Sequence, residues 1–351
     1  MSNTPAHIEP AVSWSSAARR AAFDQWFARV ARTHGLLPDS VRVASADASF
    51  RRYLRVNAAD GVSFIIMDAP PEHENCAPFV HVARLMQQAG VRAPRVLDWD
   101  EAGGFMLMTD LGARTMLDGM NLENAAANAP CYHQALDALL RWQQASRAGA
   151  LPPYDAALLR RELRLFDEWY IGQHRGYVLD AEERQWLYTL YDGIIQHCLA
   201  APQVFVHRDY MPRNLMLPDD GAAALGVLDF QDAVYGPITY DIASLMRDAF
   251  HSWEGDFVLD VTRCYWERAR AAGLLDFEAW SQDFSAFWRA VQWMALQRHL
   301  KVAGIFARLT LRDSKPKYLA DAPRFIAYIR QTAAQLPELA PLLHLLDALG
   351  A

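Results

Sequence analysis

Cysteine, lysine and long apolar runs are all scarce in this chain of 351 residues. The four cysteines, Cys76, Cys131, Cys198 and Cys264, lie far apart and form neither a CxxC pair nor a zinc-binding spacing, which excludes a zinc module of the usual kind. No apolar stretch is long enough to cross a bilayer, and the N-terminus has no signal-sequence pattern. These absences predict reduced thiols in a cytoplasmic protein with no membrane partner.

An excess of basic residues is also absent, because the formal net charge is −7. Binding to nucleic acid or to an anionic lipid surface needs a basic surface that displaces counterions. We therefore expect a small-molecule partner and no nucleic acid. The sequence leaves the oligomeric state open, with a monomer favoured.

The length and the apolar content indicate a globular protein with more than one core. A chain of 351 residues, of which 52% are hydrophobic, exceeds the size at which one core usually stops growing. Two lobes that share a cleft are the natural expectation. We predict an N-terminal lobe over residues 1–112 and a C-terminal lobe over residues 113–351.

The N-terminal lobe begins with a helical pattern and continues with β-like runs. Apolar residues recur at helical spacing from Phe23 to Val30, and Gly35 stands where such a helix would end. A second helix over residues 76–89 lies between the third and fourth β-like runs. The predicted strands are residues 41–43, 50–56, 62–67, 95–99 and 105–109. This pattern predicts a small antiparallel β lobe with one inserted helix.

From about residue 113 onward, the spacing of tryptophan and leucine is helical. The predicted helices lie around residues 136–148, 158–171, 180–199, 256–272 and 278–306. One exception lies between residues 204 and 229, where short apolar strands alternate with polar residues. The predicted fold class is therefore α+β and bilobal, with a larger α-rich second lobe.

A motif with chemical meaning lies inside this exception. Residues 207–214 read His-Arg-Asp-Tyr-Met-Pro-Arg-Asn and match the pattern H-R-D-x-x-x-x-N of phosphoryl-transfer catalytic loops. In that pattern the aspartate, here Asp209, accepts the proton of the substrate hydroxyl, and the asparagine, here Asn214, binds a metal ion. Asp229 is the first residue of an Asp-Phe-Gln sequence, which stands where the metal-binding Asp-Phe-Gly motif of kinases is expected.

The spacing agrees with a metal site made by a hairpin. If residues 215–217 and 226–229 are strands that turn at residues 221–222, antiparallel register places Asn214 opposite Asp229. An amide oxygen and a carboxylate side by side suit Mg²⁺, which leaves its other positions to phosphates and water. We predict Asp209 as catalytic base and Asn214 and Asp229 as Mg²⁺ ligands.

Each part of the motif also has a structural alternative. The His-Arg-Asp sequence could be a turn with an ion pair, and Asp229 a carboxylate at a strand end. We predict that His207 fixes the loop by hydrogen bonds rather than transferring a proton. Asp241 either braces the catalytic loop or caps the helix that begins near it, and the sequence leaves both alternatives open.

Four segments resemble a known family: residues 47–55, 207–216, 228–241 and 298–308. They resemble the aminoglycoside phosphotransferase and choline kinase superfamily, over roughly residues 40–330, and within it the bacterial anomeric sugar kinases of peptidoglycan recycling. The resemblance implies a protein-kinase-like fold and ATP as co-substrate. It also implies transfer to the C1 hydroxyl of N-acetylmuramate and N-acetylglucosamine.

By the same resemblance, residues 46–52 lie over the ATP phosphates, with Ser49, Arg51 and Arg52 as contacts. The connector residues implied to meet the adenine are Met108, Asp110 and Leu111.

The chain departs from the kinase pattern at the third strand. Kinases of this fold carry a lysine there, paired with a helix glutamate, to hold the α- and β-phosphates. Here Met67 takes that position, the first lysine is Lys301, and residues 76–89 contain no acidic residue. We predict that an arginine replaces the lysine. Arg51 and Arg52 would point to opposite faces of a strand, so one of them could reach the phosphates, and Arg84 is a third candidate.

Three lysines and several arginines lie between residues 298 and 317. This segment could be an ordinary solvated face. Alternatively, it could recognise a carboxylate, because N-acetylmuramate differs from N-acetylglucosamine by a lactyl carboxylate that a cation would bind. The residues predicted to contact the sugar are Arg213, Arg298, Lys301 and Arg308.

Two other functions remain open. An aminoglycoside- or choline-type phosphotransferase would use the same motif, although a polycationic substrate favours an acidic pocket. A nucleotide-binding pseudokinase that acts as a scaffold would explain the missing lysine. Turnover of N-acetyl sugars separates the enzyme from the scaffold.

Overall fold

The computed structural model describes residues 12–46, 50–218, 224–248 and 250–350. The chain divides into two compact units. The N-terminal unit comprises Met1–Arg114 and Met216–Asp232, and the C-terminal unit comprises Thr115–Leu215 and Ala233–Ala351. The segment that carries Asp229 therefore belongs to the N-terminal unit, whereas Asp209 and Asn214 belong to the C-terminal unit.

The N-terminal unit is built on a five-stranded antiparallel sheet. The strands are β1 (Arg42–Ala46), β2 (Arg52–Asn57), β3 (Ser63–Asp68), β4 (Val96–Asp100) and β5 (Phe105–Thr109). Their spatial order is β1-β2-β3-β5-β4, so β5 lies between β3 and β4. The five strands predicted from the sequence are confirmed, with shifts of a few residues at their ends.

Helix α1 (Ala17–His34) packs its apolar side against this sheet. The helix begins at Ser16, whose hydroxyl accepts a hydrogen bond from the Arg19 amide at 3.0 Å, and it ends at Gly35, which has a φ of 63°. The Trp26 ring stacks on Phe105 of β5 with 5.4 Å between centroids. The other apolar residues of this core include Phe23, Phe27, Val30, Leu54, Val56, Ile66 and Leu107.

Helix α2 (Ala77–Gln88) connects the sheet to the segment that carries Asp229. Phe79 of α2 lies 4.8 Å from the ring of Phe230, and the Phe230 side chain is fully buried. Phe230 therefore fixes the chain next to Asp229 through apolar packing inside the N-terminal unit.

The C-terminal unit is mainly helical. Its helices are α3 (Met116–Gly119), α4 (Ala129–Gln144), α5 (Ala156–Leu165), α6 (Ala181–Leu199), α7 (Thr239–Met246), α8 (Gly255–Ala271), α9 (Phe284–Leu311), α10 (Ala322–Gln335) and α11 (Ala340–Ala348). A π-helical segment, Phe166–His174, continues directly from α5. No helix among the described residues has the length and apolar composition needed to cross a membrane.

Short strands interrupt these helices within the predicted exception and, for the last strand, just beyond it. The strands are β6 (Gln203–Val206), β7 (Leu215–Met216), β8 (Gly226–Val227) and β9 (Val234–Pro237). β6 pairs with β9, and β7 pairs with β8 as predicted for the hairpin. The predicted hairpin turn at residues 221–222 lies outside the described residues.

Helix α9 passes through the centre of the C-terminal unit. The predicted start of this helix at residue 278 was wrong: it begins after Asp283, whose carboxylate accepts a hydrogen bond from the Ser285 amide at 2.8 Å. Gly304 brings α9 close to α5, because a Cβ atom added there would lie 2.3 Å from the carbonyl carbon and oxygen of Leu165. Only glycine allows this approach without movement of the helices.

Candidate active site

Strand β6 delivers the catalytic-loop residues at its C-terminal end. Its last three residues are buried and pair with β9, and the loop begins directly after Val206. His207 is fully buried, and its Nδ1 accepts a hydrogen bond from the Asp209 amide at 3.2 Å. This contact is of the kind expected for a histidine that fixes the loop.

Asp241 on α7 holds the same loop from the other side. Its carboxylate accepts hydrogen bonds from the amides of His207 at 2.7 Å and Arg208 at 3.0 Å. The residue at the cap of α7 is Ile238, so Asp241 lies within the helix rather than at its cap. Burial raises the pKa of Asp241 to about 7, against the opposing effect of the two backbone hydrogen bonds.

Arg208 adopts a backbone conformation that is unusual for a residue with a side chain. Its φ is 77°, in the left-handed region. Such a conformation costs about 1–3 kcal/mol and persists only where the surroundings hold it. The surroundings include the Asp241 carboxylate, which binds the Arg208 amide, and the Glu162 carboxylate, which accepts a hydrogen bond from Arg208 Nη2 at 2.6 Å.

Asp209 and Asn214 are linked within the C-terminal unit. The Asn214 side-chain nitrogen donates a hydrogen bond to the Asp209 backbone oxygen at 2.9 Å. Asp209 is partly exposed, and its role as catalytic base stays a prediction. The side-chain amide of Asn214 is thereby oriented with its nitrogen toward the loop.

Asp229 lies two residues beyond β8 in the N-terminal unit. It also has a left-handed backbone, with a φ of 64°, and Gln231 Nε2 donates a hydrogen bond to its Oδ1 at 2.9 Å. The buried ring of Phe230 follows directly. These contacts orient the carboxylate within its own unit.

The donor chemistry of Asn214 and Asp229 fits a divalent cation. Within the described residues, no group of three or more His, Cys, Asp or Glu side chains could hold a metal ion. A magnesium site in a kinase does not require such a group, because one or two protein oxygens suffice when phosphates and water complete the octahedron. The assignment of these two residues as metal ligands stays a prediction.

A buried ion cluster lies behind the catalytic loop. Glu162 of α5 accepts hydrogen bonds from Arg208, from Tyr154 and from Gln297 Nε2, the last at 3.1 Å. Lys301 Nζ lies 2.9 Å from Glu162 Oε1 and donates a hydrogen bond to the Tyr240 hydroxyl at 3.1 Å. Burial alone would raise the pKa of Glu162, but Lys301 and Arg208 lower it to about 2.

The four residues predicted to contact the sugar differ in exposure. Arg298 and Lys301 are 2% and 8% exposed, so both lie inside the C-terminal unit. Arg308 is partly exposed and Arg213 is exposed. The Arg213 guanidinium lies 4.7 Å from the Phe250 ring centroid. Their contact with a sugar stays a prediction.

The predicted nucleotide contacts lie in the N-terminal unit. Ser49 is outside the described residues. Arg51 Nε lies 3.6 Å from a carboxylate oxygen of Glu74, in the segment that leads into α2. Arg52 Nε instead donates to Asp68 Oδ2 at 2.6 Å, and its guanidinium lies 4.1 Å from the centroid of the Trp14 ring. The two arginines thus have different acidic partners.

The predicted connector follows β5. Met108 is buried in β5, and Leu111 is buried just beyond it. Asp110 accepts hydrogen bonds from Arg55 Nε at 2.6 Å and from the Ser63 hydroxyl at 2.8 Å. Burial alone would raise the pKa of Asp110, but these contacts lower it. Its carboxylate therefore ties the connector to β2 and β3, and a contact with adenine stays a prediction.

Comparison with known proteins identifies the family. Residues 40–278, more than half of the chain, match the family described as "Phosphotransferase enzyme family". The chain belongs to this family. The resemblance predicted from the four sequence segments is therefore confirmed, and the fold class with it.

Two relatives of this phosphotransferase are similar over nearly their whole length. The N-acetylmuramate/N-acetylglucosamine kinase of Pseudomonas aeruginosa is 47% identical over 321 residues, which cover 91% of this chain and 92% of that kinase. The kinase of the same name from Pseudomonas putida is 49% identical over 313 residues, which cover 89% of each chain.

Solved structures agree on the fold of the phosphotransferase. The structure of choline kinase from Streptococcus pneumoniae matches with a TM-score of 0.60 and 10% identity, over 88% of this chain and 98% of that one. At this identity the match shows the fold alone. As a member of a kinase family, the phosphotransferase uses ATP as co-substrate together with a divalent metal ion.

Sequence reasoning missed two acidic residues of the phosphotransferase. Glu162 lies on α5 between the buried residues Leu159 and Leu163, and a charged residue on an apolar helix face was a usable signal. Glu74 precedes α2 rather than lying in it, so a search confined to the helix could not find it.

Proposed function

We propose that this phosphotransferase transfers the γ-phosphoryl group of ATP to the anomeric hydroxyl of N-acetylmuramate and N-acetylglucosamine, with Mg²⁺, in peptidoglycan recycling. The observation that supports it is the 47–49% identity, over about nine-tenths of the chain, to kinases of that name. Substrate choice depends on the whole pocket, so identity spread along the whole chain supports it better than one motif does.

Asp209 is the proposed base. Its carboxylate accepts the proton of the sugar hydroxyl as the hydroxyl oxygen bonds to the γ-phosphorus, and the bond from that phosphorus to the β,γ-bridging oxygen breaks to release ADP. Asn214 and Asp229 are the proposed ligands of the Mg²⁺ ion, which neutralises phosphate charge when bound. His207 and Asp241 hold the loop through the hydrogen bonds described above.

Arg51 and Glu74 are the proposed substitute for the lysine and glutamate pair of other kinases. Arg52 is held by Asp68 and lies over Trp14, whereas Arg51 lies near Glu74, in the segment before α2, a pairing comparable to that of the kinase lysine with its helix glutamate. An arginine has the charge and the donors to bind phosphate oxygens in two parallel hydrogen bonds. We therefore place Arg51 before Arg52 and Arg84 as the phosphate-binding cation.

Recognition of the lactyl carboxylate is assigned to one of the four predicted cations, Arg213, Arg298, Lys301 and Arg308. Bidentate binding needs a guanidinium that the sugar can reach. Arg213 is exposed and is the residue directly before Asn214. We therefore propose Arg213, before the other three, as the residue that binds the lactyl carboxylate. Arg213→Ala should lower kcat/KM for N-acetylmuramate about 10-fold or more and spare N-acetylglucosamine, because only one substrate loses a charge-assisted partner.

A screen of ADP formation tests the proposed function. The substrates are N-acetylmuramate, N-acetylglucosamine, glucose, choline and an aminoglycoside, and phosphorus NMR identifies the phosphorylated position. We expect the two N-acetyl sugars to have the highest kcat/KM and a phosphate on C1. Asp209→Ala is the control for contaminating activity and should lower kcat about 10²-fold or more. Faster turnover of choline or the aminoglycoside would contradict the proposal, and nucleotide binding without turnover would favour a scaffold.

A further inference from the structure

We propose that Glu162 and Lys301 are positioning residues for phosphoryl transfer: together they hold the Arg208 side chain, and through it the strained backbone that presents Asp209. The proposal rests on the role of Asp209 given above. It assigns a function to a buried cluster of charges that lies behind the catalytic loop and belongs wholly to the C-terminal unit.

The Glu162 carboxylate has partners on both of its oxygens. Oε1 accepts from Arg208 at 2.6 Å and lies 2.9 Å from the Lys301 ammonium, while Oε2 accepts from Tyr154 and, at 3.1 Å, from Gln297. A buried carboxylate is stable only when it is paired and hydrogen-bonded in this way. Glu162 therefore fixes the position of the Arg208 guanidinium in space.

The backbone of Arg208 needs such support. Its left-handed φ of 77° is unfavourable for a residue with a Cβ atom, and the next residue in the chain is Asp209. Asp241 holds the amide of Arg208, and Glu162 holds the far end of its side chain. If the guanidinium is released, this conformation loses one of its supports, and Asp209 can shift.

Lys301 completes the cluster electrostatically. Arg208 and Lys301 carry two positive charges, and Glu162 carries one negative charge. For Lys301, burial alone would lower the pKa, but the neighbouring Tyr240 hydroxyl and Glu162 carboxylate raise it. Lys301 therefore offsets the charge of Glu162 and shares its Oε1 with Arg208, which ties Lys301 to the position of the Arg208 side chain.

The helices that carry the pair are locked against each other. Gly304 of α9 touches the backbone of Leu165, the last residue of α5. Gly304 lies one turn beyond Lys301, and Leu165 lies one turn beyond Glu162, so the two helices meet next to the ion pair. This contact sets the separation of Glu162 and Lys301 and leaves the cluster little room to adjust.

The test compares Lys301→Met, Lys301→Arg and Glu162→Gln with a control, Asp167→Asn. Asp167 is also a buried carboxylate of the C-terminal unit, bonded to Tyr191 at 3.2 Å, but it has no described contact with the cluster. For each variant kcat, KM for ATP and sugar, and the melting temperature are measured. Hydrogen exchange of the His207 and Arg208 amides is followed in parallel.

We expect Lys301→Met and Glu162→Gln to lower kcat about 10- to 10²-fold, because a small displacement of a catalytic group has that effect. KM for ATP and for N-acetylglucosamine should stay within about threefold, since neither substrate loses a proposed binding group in these variants. Lys301→Arg should restore most of kcat, and both loop amides should exchange faster in Lys301→Met. Asp167→Asn should lower the melting temperature without changing kcat or exchange in the loop.

The proposal is overturned if Lys301→Met keeps the wild-type kcat and loop exchange, or if Asp167→Asn lowers kcat equally at an equal loss of melting temperature. Should Lys301→Met not fold, Tyr240→Phe removes one hydrogen bond to Lys301 and no charge, and unchanged exchange in that variant counts against the proposal. If no sugar is turned over but the loop amides respond as expected, the proposed substrate is wrong and the positioning role stands.

Discussion

Replacing Gly304 by alanine tests how closely α9 and α5 are packed. The added Cβ atom would lie 2.3 Å from the carbonyl carbon and oxygen of Leu165 and 2.7 Å from its Cβ. Carbon atoms in good contact lie about 3.5–4.0 Å apart, so the two helices must separate by about 1 Å. The atoms in the way belong to the backbone, and no side-chain rotation can relieve the overlap.

The expected loss of stability follows from two opposing effects. Overpacking in a well-packed core destabilises by about 1–3 kcal/mol. Alanine in place of glycine within a helix recovers up to about 1 kcal/mol. We therefore expect a net loss of about 1–2 kcal/mol. In a unit of this size each kcal/mol lowers the melting temperature by about 2–4 °C.

Thermal unfolding followed by circular dichroism measures this loss, with Gly193→Ala as the matched control. Gly193 also lies within a helix, α6, but a Cβ atom there would have no heavy atom within 4 Å. That variant should unfold at or above the wild-type temperature, because it gains helix propensity without overlap. A melting temperature for Gly304→Ala equal to that of Gly193→Ala would refute the close approach of the two helices.

Three further predictions concern charge. Asn214→Ala and Asp229→Ala should each raise the Mg²⁺ concentration for half-maximal activity about 10-fold or more, and unchanged Mg²⁺ titrations would remove them from the metal site. Arg51→Ala should raise KM for ATP more than Arg52→Ala does, and equal small effects would contradict the assignment. The pKa of Glu162 is about 2 when folded and 4.5 as its ordinary value, so its stabilisation, about 3 kcal/mol, is complete above pH 4.5 and is lost as the pH falls toward 2. Acid unfolding of Glu162→Gln should lack this contribution.

The sequence predicted the fold where its patterns are local. The helix from Ala17 to His34 has an apolar stripe and a glycine stop, and the strands of the N-terminal sheet are short β-like runs. The start of α9 was placed too early because the apolar residues before Asp283 continue the helical spacing. The Asp283 side chain caps the first turn of α9 and thereby sets where the helix begins.

The candidate site could be predicted only as far as residues adjacent in the chain define it. Residues 207–214 lie on one loop, so spacing alone was enough to predict Asp209 and Asn214 as site residues. The ion cluster joins α5, the loop after β6, and α9, which are far apart in sequence, and no local pattern connects Glu162 to Lys301. The basic character of the segment after residue 298 suggested a surface, whereas Lys301 is buried because a carboxylate from another helix compensates its charge.

The chain has only three lysines, and one of them is buried, so amine labelling can report on the interior of the C-terminal unit. Lys315 and Lys317 lie outside the core, but Lys301 is 8% exposed and paired with Glu162. An amine-reactive reagent modifies only the neutral, accessible form of a lysine, so Lys301 can react only when α5 and α9 move apart. The rate of acylation at this single position, read by mass spectrometry, would therefore report how often the C-terminal unit opens around the catalytic loop, without any introduced probe.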